Sequence, residues 1–380
     1  MKIAIFTETY LPTVNGVVNS IELFRHELES RGHKIYIITP HSTSENFKSR
    51  GHVFRIPSFP FIGQPTHPVP FFSLSHINSI LEEIKPDIIH VQGMFFTGLL
   101  GQKSAHRLKI PCILTYHTHL EGYAHYAGIL TPIVKPLLRF WTKHYCIKFN
   151  LIITPSPSMA KMLKSYGIRN DIVALPTGIV SKDYSSLNKV GVRSQLALES
   201  EKIYLLFVGR LAEEKNVKQL LKDFGRLYVR LPKVHLLLAG DGPDRKIYEA
   251  IIETRGLQSS VTFLGSLPHE KLLPYYTASD IFVFPSLTDT QGIVLIEAMA
   301  SGLPSVVYNM LGPGDIVKHN ECGFKANVNS DQFFQFMFEL ANDAPLRDKI
   351  GVGAQREARK YSIEKTSDQM EQLYQLMIGK

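Results

Sequence analysis

The chain has 380 residues, 44% hydrophobic and 20% charged, with 42 Lys+Arg against 34 Asp+Glu and a formal charge of +8. That length suits about two domains at the usual ~150–200 residues each, and the composition excludes disorder, collagen and a charge-rich coiled coil. Cys112, Cys146 and Cys322 are too scattered for a disulfide framework or a zinc cluster, and no apolar run approaches the ~20 residues that span a bilayer. The reading is a cytoplasmic protein with reduced thiols that meets a membrane, if at all, at its surface.

In chain order, a short apolar run at residues 3–6 leads into a Pro/Asn/Gly loop ending at Gly16. A helical pattern follows over residues 17–30, with Val18, Ile21, Phe24 and Leu28 on one face, and Gly32 stops it. The next strand is expected at residues 35–38, completing a βαβ unit with buried parallel strands. Further strands are expected at 88–91, 112–116 and 151–154. The series restarts with strands at 204–208, 235–239, 261–264, 281–284 and 305–307, and with helices at 216–230 and 293–300. The aperiodic stretch at 176–200 reads as the boundary. The fold class is therefore α/β, two doubly wound domains facing each other, with a ligand between the carboxyl ends of their strands.

Charge is uneven. Residues 1–180 carry 18 Lys+Arg and 10 Asp+Glu (18 − 10 = +8), whereas residues 181–380 carry 24 of each (24 − 24 = 0). This fits either a domain facing an anionic partner or a solvated surface with a bias, and charge alone does not choose. No helix-turn-helix, zinc-finger or aromatic-sheet signature accompanies it, so nucleic acid is not an expected partner.

Several strand ends carry chemistry. Arg210 and Lys215 follow the 204–208 strand, and a guanidinium fork with a point charge suits a diphosphate. The alternative is a surface ion pair with Glu213 or Glu214. Gly240-Asp-Gly242-Pro lacks the third glycine of a dinucleotide fingerprint and reads as a tight turn. Ser286 to Pro304 is the densest segment. It places Asp289 in a loop, Gly292 before a helix start whose N–H groups suit an anion, and Glu297 one turn inside. Two carboxylates there suit sugar hydroxyls. The alternative is a helix-dipole Asp and an exposed Glu. His117 and His119 close the 112–116 strand, where a lone His is usually structural; with Glu121 they could in principle hold a metal, although no further ligand sits at ligand spacing. His90 reads as structural.

The motifs together resemble those of the GT-B fold glycosyltransferases of family four, retaining enzymes that use nucleotide sugars. The resemblance covers nearly all the chain. It rests on Gly209-Arg210 with Lys215, on Asp289 to Glu297 running into Glu-Ala-Met-Ala-Ser-Gly-Leu-Pro, and on the opening Glu8-Thr-Tyr10-Leu-Pro-x-x-Asn15-Gly16-Val17. Thr115-Tyr-His117-Thr and Thr290-Gln291-Gly292 look most like bacterial diacylglycerol glucosyltransferases. One departure is Asp289, where the family usually has Glu.

The resemblance implies domains at 1–180 (acceptor side) and 181–362 (donor side), with a last helix from 363 crossing back to the first. It implies that Arg210 and Lys215 hold the donor diphosphate, helped by backbone N–H groups of Gln291, Gly292, Ile293 and Val294. Glu297 would bind the ribose, Asp289 the donor sugar hydroxyls, and His117 would lie beside the donor sugar. Asn15 and Gly16 would form a loop near the phosphates and acceptor. No metal or other cofactor is expected. The implied reaction moves glucose from UDP-glucose to diacylglycerol or a related membrane lipid, at the cytoplasmic face of an anionic membrane. A soluble or polyprenyl-linked sugar acceptor, or a non-catalytic nucleotide-sugar binder, are the alternatives. Two segments could touch lipid. Residues 131–149 place Lys135, Arg139 and Lys143 four apart among Leu137, Leu138, Trp141 and Tyr145, which fits an interfacial helix or a core helix with a basic face equally. Residues 57–74 are apolar, aromatic and proline-rich, as a mobile loop at the acceptor mouth or a buried structural loop would be.

Overall fold

The computed structural model describes residues 1–379 except 14, 41–50, 62–63, 71–73 and 185–187, and only the backbone at 60–61, 64–70, 123, 125–127 and 182–183. Much of the 57–74 segment, including Phe71 and Phe72, therefore lies outside the described residues or side chains. The chain forms two units, Met1–Gly178 with Ile363–Lys380, and Ile179–Ser362.

The first unit holds β1 (Lys2–Phe6), β2 (Lys34–Pro40), β3 (Val53–Ile56), a β4–β5 hairpin (Ser58–Phe61, Gln64–Pro70), β6 (Ile88–Val91), β7 (Cys112–Thr115), β8 (Leu151–Thr154) and β9 (Asp171–Ala174). Seven of these form one sheet in the order β3-β2-β1-β6-β7-β8-β9, with all pairs parallel. β6, β7 and β8 are buried at every position, as strands of a sheet layered by crossover helices must be. The crossovers are α1 (Gly16–Ser30), α2 (Leu74–Ile84), α3 (Phe96–Leu108), α4 (Thr131–Cys146) and α5 (Pro157–Ser165).

α1 buries Val18, Ile21, Phe24 and Leu28, the face its spacing foretells. The C-terminal helix, Ile363–Ile378, belongs to this unit. Arg31 ties it to the end of α1, with Nη1 donating to Asp368 at 2.6 Å and Nη2 to the Glu364 carbonyl at 2.9 Å. Gly178 permits its close approach, since a Cβ there would lie 2.6 Å from the Ile363 Cα.

The second unit holds β10 (Ile203–Val208), β11 (Val234–Ala239), β12 (Val261–Gly265), β13 (Ile281–Phe284), β14 (Ser305–Tyr308) and β15 (Gly323–Ala326). Its helices are α6 (Lys189–Gln195), α7 (Val217–Arg230), α8 (Arg245–Thr254), α9 (His269–Ala278), α10 (Ile293–Ala300), α11 (Leu311–Ile316), α12 (Gln332–Asn342) and α13 (Ala344–Ala358). The parallel sheet runs β12-β11-β10-β13-β14-β15. Phe207 and Phe284 are buried and stacked with centroids 6.4 Å apart, fixing the ends of β10 and β13 side by side. Each such ring contributes about 1.5–3 kcal/mol.

The strands not expected from the sequence are those of the β4–β5 hairpin and β3, β9 and β15, the last three at edges of the two larger sheets. Their runs are broken or half-exposed: β9 has no fully buried residue, and β3 and β15 contain Arg55 and Lys325. No helix among the described residues is long and apolar enough to cross a membrane.

Candidate active site

In the second unit the strand order reverses between β10 and β13, which opens a crevice at their carboxyl ends. The loop after β10 is set by backbone contact with the loop after β11. Leu211 N donates to Asp241 O and Asp244 N to Leu211 O, both at 3.0 Å. A Cβ on Gly240 would sit 1.9 Å from Gly209 O, and one on Gly242 2.3 Å from Leu211 O. These glycines are needed for chain packing, so the Gly-Asp-Gly-Pro motif is a structural turn.

Arg210 is exposed and makes no side-chain hydrogen bond or ion pair among the described residues. Lys215 Nζ reaches both Asp289 carboxylate oxygens, at 2.8 and 2.7 Å, with both side chains about four-fifths buried (18% and 19% exposed). Neither cation pairs with Glu213 or Glu214 among the described residues, so the surface-pair alternative is not what is formed. Asp289 is likewise a partner of a buried cation rather than a residue drawn to a helix dipole.

α10 begins at Gly292, which has φ +82 and offers no side chain to cap the helix, so its first N–H groups, at Ile293 and Val294, receive no side-chain cap. Gln291 is buried in the same loop. α11 braces the loop from behind: Gly312 N donates to Asp289 O at 3.2 Å, and a Cβ on Gly312 would lie 2.4 Å from the Gln291 Cα. Glu297 is buried, not exposed as the helix-dipole alternative requires. Tyr276 donates to its Oε2 at 2.8 Å, and His269 Nδ1 lies 3.5 Å from Oε1. Burial and the adjacent carboxylate hold the Tyr276 phenol well above its ordinary range, so it remains a donor. A carboxylate has about four acceptor sites, so one such group can serve several donors.

In the first unit the corresponding reversal lies between β1 and β6. Here the chain's own Glu8 occupies the helix start: its carboxylate accepts from Phe95 N, Thr97 N and Gly98 N at 3.1–3.2 Å. Burial raises its pKa against those hydrogen bonds. Among the described residues no carboxylate accepts in this way from the first N–H groups of α10. The start of α10, with Arg210 and Lys215 on the neighbouring strand end, is therefore the helix start suited to an anion.

Asn15 caps α1, its Oδ1 accepting from Val17 N and Val18 N at 3.0 Å. A Cβ on Gly16 would meet nothing within 4 Å, so no contact among the described residues demands glycine there. His117 follows β7, partly exposed, with Nε2 2.5 Å from Gln92 Oε1. Burial lowers its pKa to about 4, so the ring is neutral at pH 7. Glu121 is engaged by Arg139 Nε at 2.7 Å rather than by the histidines. Burial pushes the Glu121 carboxyl up, but hydrogen bonds from Arg139 and Tyr166 outweigh it and leave the pKa lowered. Among the described residues no group of three His, Cys, Asp or Glu is arranged to hold a metal.

Reading the sequence alone missed Glu8 as a plug, Gln92 beside His117, Tyr276 and His269 beside Glu297, and Gly312 behind the loop. Gln92 had a detectable signal, since it follows a strand as His117 does. The others come from distant segments.

A helix start suited to an anion, with two cations and two acids at a strand-order reversal in a chain of two parallel α/β units, is the arrangement a nucleotide-sugar-dependent glycosyltransferase of the GT-B fold requires. Comparison with known proteins agrees. Residues 14–182 match the family described as Glycosyltransferase Family 4, and residues 191–357 that described as Glycosyl transferases group 1. The alpha-monoglucosyldiacylglycerol synthase of Streptococcus pneumoniae is 32% identical over 313 residues, covering 81% of this chain and 71% of that protein. A GDP-mannose-dependent alpha-mannosyltransferase of Corynebacterium glutamicum is 30% identical, covering 86% and 77%. The sucrose-phosphate synthase structure from Thermosynechococcus elongatus superposes with a TM-score of 0.81 at 19% identity, over 100% of this chain and 99% of that one. The chain belongs to glycosyltransferase family 4.

Proposed function

We propose that this enzyme transfers glucose from UDP-glucose to diacylglycerol or a closely related membrane lipid, with retention at the anomeric carbon and without a metal. The acceptor reading is carried by α4. Of its 16 residues only Thr142, Tyr145 and Cys146 are buried. Ile133, Leu137 and Phe140 are 60–62% exposed, and Ile129 just before the helix is 96% exposed. Lys135 and Arg139 are exposed along the same helix. A core helix buries its apolar stripe; this one presents apolar and basic side chains together, which suits the cytoplasmic face of an anionic membrane. The glucosyl lipid product in the pneumococcal relative's name supports the same reading.

In this reading Arg210, Lys215 and the first N–H groups of α10, with those of Gln291 and Gly292, hold the diphosphate, supplying the charge a metal would otherwise bring. Lys215 exchanges Asp289 for phosphate, which releases the Asp289 carboxylate to the donor sugar hydroxyls. Glu297, held by Tyr276, accepts from the ribose. His117 lies beside the donor sugar, and Asn15 with Gly16 leaves room near the phosphates. The acceptor oxygen bonds to the anomeric carbon as the bond to the leaving diphosphate breaks. The acceptor proton passes to that diphosphate on the same face, so no protein nucleophile is needed.

The test is nucleotide release from a panel of UDP- and GDP-sugars, with and without diacylglycerol in anionic vesicles, in excess chelator. The expected result is lipid-dependent release from UDP-glucose and an α-glucolipid by mass spectrometry. Turnover with a soluble acceptor alone would overturn the lipid reading, and loss restored only by added metal would overturn the metal-free one. Leu137→Glu should reduce vesicle binding without changing donor binding.

A further inference from the structure

His90 lies inside β6 with no exposed surface, and each of its ring nitrogens faces a hydroxyl. Nδ1 is 2.7 Å from Tyr374 Oη of the C-terminal helix, and Nε2 is 2.7 Å from Thr115 Oγ1 at the end of β7. Burial, with His117 adding, lowers its pKa to about 3, so the ring is neutral and offers one donor and one acceptor. Gln92 comes two residues later. Its Nε2 lies 3.4 and 3.3 Å from the two nitrogens of the His90 ring. The in-plane directions of those nitrogens diverge, so an amide nitrogen nearly equidistant from both lies over the ring face. That packing aims Oε1 at His117 Nε2, 2.5 Å away. An amide oxygen only accepts, so with Gln92 Oε1 on this side the proton of the neutral His117 sits on Nε2.

We propose that Gln92 is a positioning residue that fixes the tautomer and ring orientation of His117, and that Tyr374 clamps Gln92 in place through His90. The proposal rests on the reading that His117 lies beside the donor sugar. It gives the C-terminal helix a chemical role: a hydroxyl from the last elements of the chain holds the ring on which the amide stacks. Thr115 holds the same ring from the other side, so its rotation is blocked at both ends.

The test compares Gln92→Leu, Gln92→Glu, Tyr374→Phe and His117→Ala in the full-length enzyme, with UDP-glucose and diacylglycerol vesicles. Gln92→Leu keeps the side-chain volume and removes the acceptor. Its kcat should fall about 10–100-fold, the scale by which outer partners of metal-bound histidines matter, with KM for UDP-glucose unchanged. Gln92→Glu keeps an acceptor oxygen and should recover most of that loss, and Tyr374→Phe should give a smaller fall of the same kind. Ring-nitrogen NMR, with His117 assigned by its absence in His117→Ala, should show the Nε2–H tautomer in the wild type and a mixture in Gln92→Leu.

Wild-type turnover in His117→Ala would overturn the underlying reading of His117. An inactive His117→Ala beside a Gln92→Leu of unchanged kcat and tautomer would overturn this proposal alone. Should Gln92→Leu not fold, a Tyr374→Phe enzyme with wild-type kcat and tautomer would overturn the clamp.

Discussion

Replacing Lys215 by alanine separates what the residue does for folding from what it does for transfer. Its ammonium lies 2.7–2.8 Å from both Asp289 oxygens, in a setting about four-fifths buried. Removing it leaves Asp289 partly desolvated without its counter-charge, which costs about 1–3 kcal/mol of stability. Removing Asp289 as well takes away the stranded charge, so the double variant should regain about 1 kcal/mol or more. Transfer should behave differently. Losing one fixed charge aimed at the departing diphosphate costs on the order of 10²–10³ in rate, or about 2.7–4 kcal/mol, and deleting Asp289 cannot restore it. Urea unfolding and nucleotide release, measured on the wild type, both single variants and the double, give the two cycles. Stability should be partly rescued in the double while turnover is not. Wild-type turnover in Lys215→Ala would refute the assignment of Lys215 to the diphosphate.

Glu297→Gln keeps the Tyr276 contact but loses carboxylate strength, so KM for the nucleotide sugar should rise by roughly 10–30-fold, the equivalent of about 1.4–2 kcal/mol; unchanged donor titrations would remove Glu297 from the site. Gly240→Ala drives a methyl to 1.9 Å from Gly209 O, and the backbone cannot yield there. It should destabilise the enzyme by about 3 kcal/mol or more, read as a fall in Tm, and a stable variant would contradict the interlocked loops. His90 and His117, with pKa lowered to about 3 and about 4, bind fewer protons folded than unfolded between those values and the unfolded pKa near 6.5. Stability should therefore be level above about pH 6.5 and fall on acidification, by up to about 4 kcal/mol at pH 5 for the two together. Equal urea midpoints at pH 7.5 and 5.0 would show that these rings are not held neutral.

Much of the architecture was legible in the residues because parallel strands buried on both faces write continuous apolar runs. Residues 88–91, 151–154 and 281–284 read as strands with the bounds they have in the structure. The same physics hid β3, β9 and β15, whose runs are interrupted by charged or half-exposed residues. Arg210, Lys215, Asp289 and Glu297 were visible as chemistry because they follow strand ends or open a helix, where a doubly wound sheet collects its ligands. Their partners were not visible. Lys215 meets Asp289 across 74 residues, and His90 meets Tyr374 across 284. Nor did helical spacing decide whether α4 faces a core or a surface, since a 3.6-residue stripe is identical in both cases and only the packed neighbours differ. The sequence by itself determined the class of fold, the family and the residue types at each strand end, because these depend on local pattern. Tertiary structure alone decided which charges pair, which acid is buried and which helix start stays open, because those depend on what the chain brings together from far apart.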